Sequence, residues 1–96
     1  MSDSDLISEE MRGHNAAMLL DNELLQQALA AIDKEVMEQW IACPARDKEG
    51  KEALWQLIKT SRKFKDILTG YIQTGKLATE TMKHFEKRSL LRRVLP

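Results

Sequence analysis

Apolar side chains recur at steps of three and four residues through the middle of the chain. The first series comprises Leu25, Ala28, Leu29, Ile32, Val36 and Trp40. Such spacing places the side chains on one face of an α-helix, so it predicts a helix over about residues 22–42. Asp21 or Asn22 is the expected N-cap, because a short polar side chain at that position accepts a hydrogen bond from the first turn.

Pro44 ends this pattern, since the residue before a proline is driven out of the α region. Asp47 is a suitable N-cap for a second helix, which we expect over about residues 48–73 with Gly75 as its C-terminal stop. Its apolar series is Leu54, Leu57, Ile58, Ser61, Phe64, Leu68, Tyr71 and Ile72. Because the connection is short, the two helices are predicted to form an antiparallel αα-hairpin. Its buried core is expected to include Leu29, Ile32, Leu57, Ile58 and Leu68.

The flanking segments have weaker patterns. Residues 1–14 are interpreted as either a flexible segment or a short helix, because Leu6, Ile7 and Met11 have helical spacing before Gly13. Residues 77–91 predict a further helix that follows a tight turn at Gly75, and residues 92–96 are interpreted as a tail. With no alternating strand pattern, the prediction is an all-α fold. The hairpin and its short flanking helices would form a small helical bundle, a single domain over residues 1–96.

The formal net charge of zero conceals a polarity along the 96 residues. Residues 1–52 contain 5 Lys/Arg and 12 Asp/Glu, whereas residues 53–96 contain 10 and 3. The apolar content of 43% is that of a globular protein. No apolar run approaches the ~20 residues that span a bilayer, and the first residues are acidic where a secretory signal is basic. These features predict a cytoplasmic protein without a membrane segment.

The sequence offers no convincing reaction chemistry. Residues 70–77 match the phosphate-loop pattern GxxxxGK[ST] except that Leu77 replaces the hydroxyl that binds magnesium, and no strand precedes them. Glu80 and His84 could share a helix face as half of a metal site, but an ion pair is the simpler interpretation. Cys43 is the only cysteine and is expected to be an inert thiol. We therefore predict no catalytic residues, cofactor or metal.

Two surfaces are candidates for binding a partner. Met37, Ile41 and Trp55 lie off the predicted hairpin stripe and would form an apolar patch near the hairpin tip, unless a flanking helix covers it. The second surface is basic and consists of Lys83, Lys87, Arg88, Arg92 and Arg93, to which the predicted helix 48–73 adds Lys59, Arg62, Lys63 and Lys65. A solvated, ion-paired face is the favoured interpretation of these charges, and contact with nucleic acid is the alternative.

Several short stretches also carry a resemblance to known proteins. They are Leu19–Leu25, Ala28-Leu29, Trp40, Pro44, Asp47–Glu52, Leu54-Trp55 and Thr74–Ala78. Taken together, these stretches resemble small uncharacterised helical proteins encoded by tailed bacteriophages and prophages, over about residues 19–78. The Gly50-Lys51-Glu52 segment stands where related sequences tend to have Gly-Arg-Glu, which preserves the charge. The resemblance implies a phage setting and little chemistry.

These observations lead to three hypotheses. The first is a non-enzymatic helical interaction protein of a phage that self-associates and acts as an assembly or DNA-packaging accessory, in the host cytoplasm or with the virion. The second is a small phage inhibitor or regulator that binds a host enzyme. The third is a nucleic-acid-binding protein that uses the basic C-terminal half. The sequence does not identify the partner or the number of copies.

Overall fold

The chain forms three α-helices and no strand within the part that the structure describes. In this computed structural model, the backbone is described for residues 3–94 and the side chains for residues 3–88. The helices are α1 (Asp3–Asp21), α2 (Glu23–Ala42) and α3 (Lys48–Val94). The all-α prediction is therefore confirmed.

Asn22 separates α1 from α2 and is the N-cap of α2. Its backbone is extended, with φ −67° and ψ 120°, and its Oδ1 accepts a hydrogen bond of 2.9 Å from the backbone N–H of Leu25. Gln26 donates from Nε2 to the carbonyl oxygen of Leu20 at 2.8 Å, which satisfies a terminal carbonyl of α1. Of the two predicted caps, Asn22 is the one used.

Residues 43–47 connect α2 to α3 as predicted. Cys43 leaves the helical region with φ −76° and ψ 125°, and Asp47 caps α3 by accepting a 2.9 Å hydrogen bond from the backbone N–H of Gly50. Lys51 then reaches back to α2, where its Nζ donates to the carbonyl oxygen of Trp40 at 2.8 Å. The lysine thus satisfies an orphan carbonyl in the last turn of α2 and places a positive charge at the negative end of the helix dipole.

The predicted end of the second helix at Gly75 is wrong. The helix α3 continues from Lys48 to Val94, so residues 77–91 are part of it and not a separate helix. Gly75 has no positive φ, which a glycine C-cap requires. A glycine inside a helix costs about 1 kcal/mol relative to alanine, and at Gly75 the close packing on Gly13 of α1 offsets that cost.

The predicted flanks also need correction. Residues 3–14 belong to the 19-residue helix α1, which is longer than the short helix that the sequence predicts. The tail predicted over 92–96 is helical as far as Val94, while residues 1–2 and 95–96 lie outside the described part of the chain. An acidic first turn, with Asp3 and Asp5, favours the start of α1 through the helix dipole.

The chain divides into two compact units, of which the first combines residues up to Met18 with those from Leu68 onward. Within it, a Cβ placed on Gly13 would lie 2.7 Å from the carbonyl oxygen of Tyr71 and 2.9 Å from the Cα of Gly75. The helices α1 and α3 therefore meet backbone to backbone at these glycines. Thr79 donates a hydrogen bond to the carboxylate of Glu10 beside this contact. Among the side chains described in this unit, the buried apolar ones are Leu6, Ala16, Leu68 and Ala78.

The second unit comprises Leu19–Ile67 and has a narrow core. Its buried side chains are those of Leu29, Val36, Leu54 and Ser61. The expected burial of Ile32 and Leu57 is wrong, since they are 39% and 52% exposed, and Ile58 is only half-buried. Two helices that pack as a pair bury only the narrow stripe along which they touch. Successive residues are about 100° apart around a helix, so a side chain that lies roughly 40–60° from the centre of this stripe stays accessible.

Candidate interaction surface

A groove between α2 and α3 in the second unit combines two tryptophans with charged side chains of both signs. Its apolar lining includes both tryptophans of the chain, and an acidic and a basic side chain lie on its two walls. We call it the tryptophan groove, and it is lined by Asp33, Val36, Met37, Trp40, Leu54, Trp55, Ile58 and Arg62. In the described part of the chain nothing covers it, because Met37 is 60% exposed, Trp55 49% and Trp40 41%.

Lysine side chains from α3 fix the two indoles that line the groove. The Nζ of Lys51 lies 4.2 Å from the centroid of the Trp40 ring while it donates to the Trp40 carbonyl oxygen. The Nζ of Lys59 lies 5.7 Å from the centroid of the Trp55 ring. Both distances are within the range of a cation–π attraction. An exposed contact of this kind contributes about 0.5–1 kcal/mol, so the lysines favour the observed positions of the indoles.

The structure brings together two of the three side chains of the predicted patch. Met37 and Trp55 line the tryptophan groove on opposite walls, whereas Ile41 lies outside it and is 77% exposed. Ile41 follows Trp40 by one residue and is therefore turned by about 100° around α2, away from α3. The sequence pattern places Trp40 on the apolar face of the predicted helix and does not reveal its place in the groove. Its position at the edge of the apolar stripe, about 40° from Val36, was the available signal.

A second groove lies on the other side of the line along which α2 and α3 touch. We call it the phenylalanine groove, and it is lined by Leu25, Ala28, Leu29, Ile32, Glu35, Val36, Gln39, Leu57, Thr60, Ser61 and Phe64. Its lining contains a single charged side chain, Glu35. The tryptophan groove differs from it in having one charge of each sign.

The basic residues from Lys83 onward are accessible where the structure describes their side chains. Lys83, Lys87 and Arg88 are all exposed on α3. None of the three forms an ion pair with another residue within the described range. The ion-paired, solvated state of this face stays a prediction. The side chains of Arg92 and Arg93 lie outside the described residues.

The sequence motifs with possible reaction chemistry lie on helices. Residues 70–77 are inside α3, where backbone N–H groups are engaged in the helix and do not cradle a phosphate. Gly70 has open space around it, whereas Gly75 packs on Gly13. Over the described residues, no group of three or more His, Cys, Asp and Glu side chains could hold a metal ion. None of the helices described is long and apolar enough to cross a membrane.

The tryptophan groove presents an apolar surface with one charged side chain of each sign, Asp33 and Arg62. Comparison with models of protein families, with curated proteins and with solved structures gives no match for this chain.

Proposed function

We propose that this protein is a non-enzymatic helical interaction protein that self-associates through the tryptophan groove. The proposal includes the predicted architecture of its second unit, an antiparallel αα-hairpin of α2 and residues 48–67. The hydrogen bond from Lys51 to Trp40, at the ends of α2 and α3 nearest Pro44, supports this pairing. The accessible groove is the observation that carries the proposal.

The free energy available from covering the groove is substantial for so small a chain. An aromatic side chain buries about 150–250 Å², so the exposed half of Trp55 amounts to roughly 100 Å². At about 25 cal/mol per Å², covering that area contributes roughly 2.5 kcal/mol. Met37 and Trp40 add comparable amounts, and a symmetric contact between two copies counts each of them twice. Such a total can offset the entropy lost on association, about 4–15 kcal/mol.

We further propose a phage setting, in which the protein acts as an assembly or DNA-packaging accessory in the host cytoplasm or with the virion. The resemblance to small helical phage proteins supports this part. The rival is a small inhibitor or regulator that covers part of a host enzyme with the same groove. A pull-down from host lysate separates the two: a stoichiometric host enzyme favours the rival, and recovery of virion proteins alone favours assembly.

Sedimentation equilibrium of the parent protein and a Trp55→Glu variant tests self-association. We expect the parent to be oligomeric at micromolar concentration and the variant to be monomeric with unchanged helix content, because Trp55 lies outside the buried seam between α2 and α3. The control is Leu77→Glu, which places the same charge on an exposed apolar position of the first unit. A monomeric parent rejects self-association, and an oligomer that persists in Trp55→Glu moves the contact elsewhere.

Nucleic-acid binding is the second candidate function. It is supported by the exposure of Lys83, Lys87 and Arg88 and by their lack of ion pairs with other described residues. Cationic side chains without partners can neutralise phosphates and release condensed counterions. Arg92 and Arg93 would extend the same basic segment.

A further inference from the structure

Opposite charges lie on the two walls of the tryptophan groove. Asp33 is on α2 and Arg62 is on α3, and both line the groove beside Met37 and Trp55. Both are exposed, and neither forms an ion pair or a hydrogen bond with another residue in the described part of the chain. Lys59, held over Trp55, adds a second positive charge to the α3 wall. Within the described part of a single chain, the charged side chains on each wall therefore have no ion-pair partner.

The same polarity extends along both helices of the second unit. The helix α2 contains four Asp/Glu and one Lys, whereas residues 48–67 of α3 contain six Lys/Arg and three Asp/Glu. A second copy that lies over the groove therefore meets an acidic surface on one side and a basic surface on the other. How that copy is oriented decides whether these charges attract or repel.

The two-fold axis of a symmetric dimer lies in the contact plane, and relative to the helices it has two limiting directions. An axis perpendicular to the helices places α2 opposite α2 of the second copy, and α3 opposite α3, so like charges face each other. An axis parallel to the helices places α2 opposite α3 of the second copy. Only the parallel axis brings the acidic wall of each copy against the basic wall of the other.

The axial positions agree with this second arrangement. In the proposed antiparallel hairpin, the buried residues Leu29 and Val36 of α2 match Ser61 and Leu54 of α3, so matched residue numbers add up to about 90. Asp33 is then level with residue 57. At a rise of about 1.5 Å per residue, it is roughly 3 Å along the axis from the level of Lys59 and roughly 7.5 Å from that of Arg62. A two-fold axis parallel to the helices leaves these levels unchanged.

We propose that the partner of the tryptophan groove is a second copy related by a two-fold axis parallel to the helices. The Asp33 side chain of each copy faces Lys59 and Arg62 of the other, and both connections at Pro44 lie at the same end of the dimer. This inference rests on the proposed self-association and adds the geometry of the contact. The charges select this orientation over the alternative, while the tryptophans and Met37 supply most of the affinity.

Charge reversal on each wall tests the orientation. One variant carries Asp33→Lys, a second carries Lys59→Glu with Arg62→Glu, and a third combines all three substitutions. In the proposed dimer, either wall reversed alone places like charges opposite each other at two symmetric positions. We expect the dissociation constant to rise by about tenfold or more in the first two variants. The third variant restores opposite charges and should return to within a few-fold of the parent value.

The control is Glu38→Lys, a reversal from negative to positive charge at an exposed position of α2 outside both grooves. Because Glu38 lies outside the contact, this variant should change the dissociation constant far less than Asp33→Lys does. Sedimentation equilibrium gives the constants, and circular dichroism checks that helix content is equal. If the parent dimerises but the first two variants bind as tightly as it does, or the third does not recover, the orientation is wrong while self-association stands. If the parent is monomeric, the groove serves a different protein and both proposals fail.

Discussion

The contact between Gly13 and Gly75 predicts opposite effects of the same substitution at different glycines. A Cβ on Gly13 would lie 2.7 Å from the backbone oxygen of Tyr71 and 2.9 Å from the Cα of Gly75. Both neighbours are backbone atoms, so a whole helix has to move. A Cβ on Gly70, also inside α3, would meet nothing within 4 Å. Gly13→Ala and Gly70→Ala are therefore a matched pair.

The magnitudes follow from helix propensity and packing. Alanine is better than glycine inside a helix by about 1 kcal/mol, and both variants gain this amount. Gly70→Ala gains nothing else and loses nothing, so it should stabilise the protein by about 1 kcal/mol. Overpacking costs about 1–3 kcal/mol, and the upper end applies at Gly13 because the obstacle is backbone. Gly13→Ala should therefore be less stable than the parent by about 2 kcal/mol, which is roughly 3 kcal/mol below Gly70→Ala.

Urea unfolding followed by circular dichroism measures the difference in free energy of unfolding between the two variants. Gly75→Ala should fall between them, because its Cβ would lie 3.0 Å from the Cα of Gly13 and 3.1 Å from the carbonyl oxygen of Glu9. If Gly13→Ala were as stable as Gly70→Ala, the close approach of α1 and α3 at residue 13 would be wrong.

Four further predictions concern the core, the caps, the basic segment and the coupling of stability to association. Leu29→Ala should lower the free energy of unfolding by about 2–5 kcal/mol. Leu57→Ala should lower it clearly less when both are measured in a monomeric background such as Trp55→Glu, because Leu57 is half-exposed; equal losses would contradict this difference in burial. Asp47→Ala should cost about 1 kcal/mol and Asp47→Ser only part of it, because serine can also accept the hydrogen bond from Gly50; an equal loss in both would argue against capping. The melting temperature should rise with protein concentration in the parent and stay constant in Trp55→Glu. Any nucleic-acid binding, followed by fluorescence anisotropy, should weaken steeply with salt, and binding that survived neutral replacements would exclude the basic segment of Lys83, Lys87, Arg88, Arg92 and Arg93.

Local sequence signals were sufficient to predict where α2 and α3 begin. Asn22 and Asp47 are short polar side chains directly before apolar periodic segments, and Pro44 excludes a continuous helix between them. Each of these features acts within a few residues, so the sequence alone reveals it. The predicted end at Gly75 failed because glycine has two uses that look identical in a sequence. It can end a helix with a positive φ, or it can let a second helix approach closely, and only the position of Gly13 decides between them.

The candidate site was only partly predictable for a related reason. The helical period identified Met37 and Trp55 as residues off the stripe, because that depends on angles around one helix. Whether Ile32 and Leu57 are buried depends instead on how many helices pack around α2 and α3. The helical period of the apolar residues does not determine that number. The predicted core is wider than the stripe that the second unit buries, because Ile32 and Leu57 are 39% and 52% exposed. Trp40 belongs to the predicted apolar face but lies at its edge and is 41% exposed.

The narrow core of the second unit bears on the proposed self-association. Leu29, Val36 and Leu54 are the apolar side chains that this unit buries within the described chain, and each contributes about 1.5–3 kcal/mol when fully buried. Ordering the backbone costs about 1–2 kcal/mol for every residue. Because this unit buries few side chains against that cost, its net stability is small. In the proposed dimer, a second copy that covers Trp55 and Met37 would bind only the folded form, because an unfolded chain does not hold the two walls of the groove together. Association would then add its own free energy to that of folding, so the proposal predicts that the protein is more stable as a dimer than as a single chain.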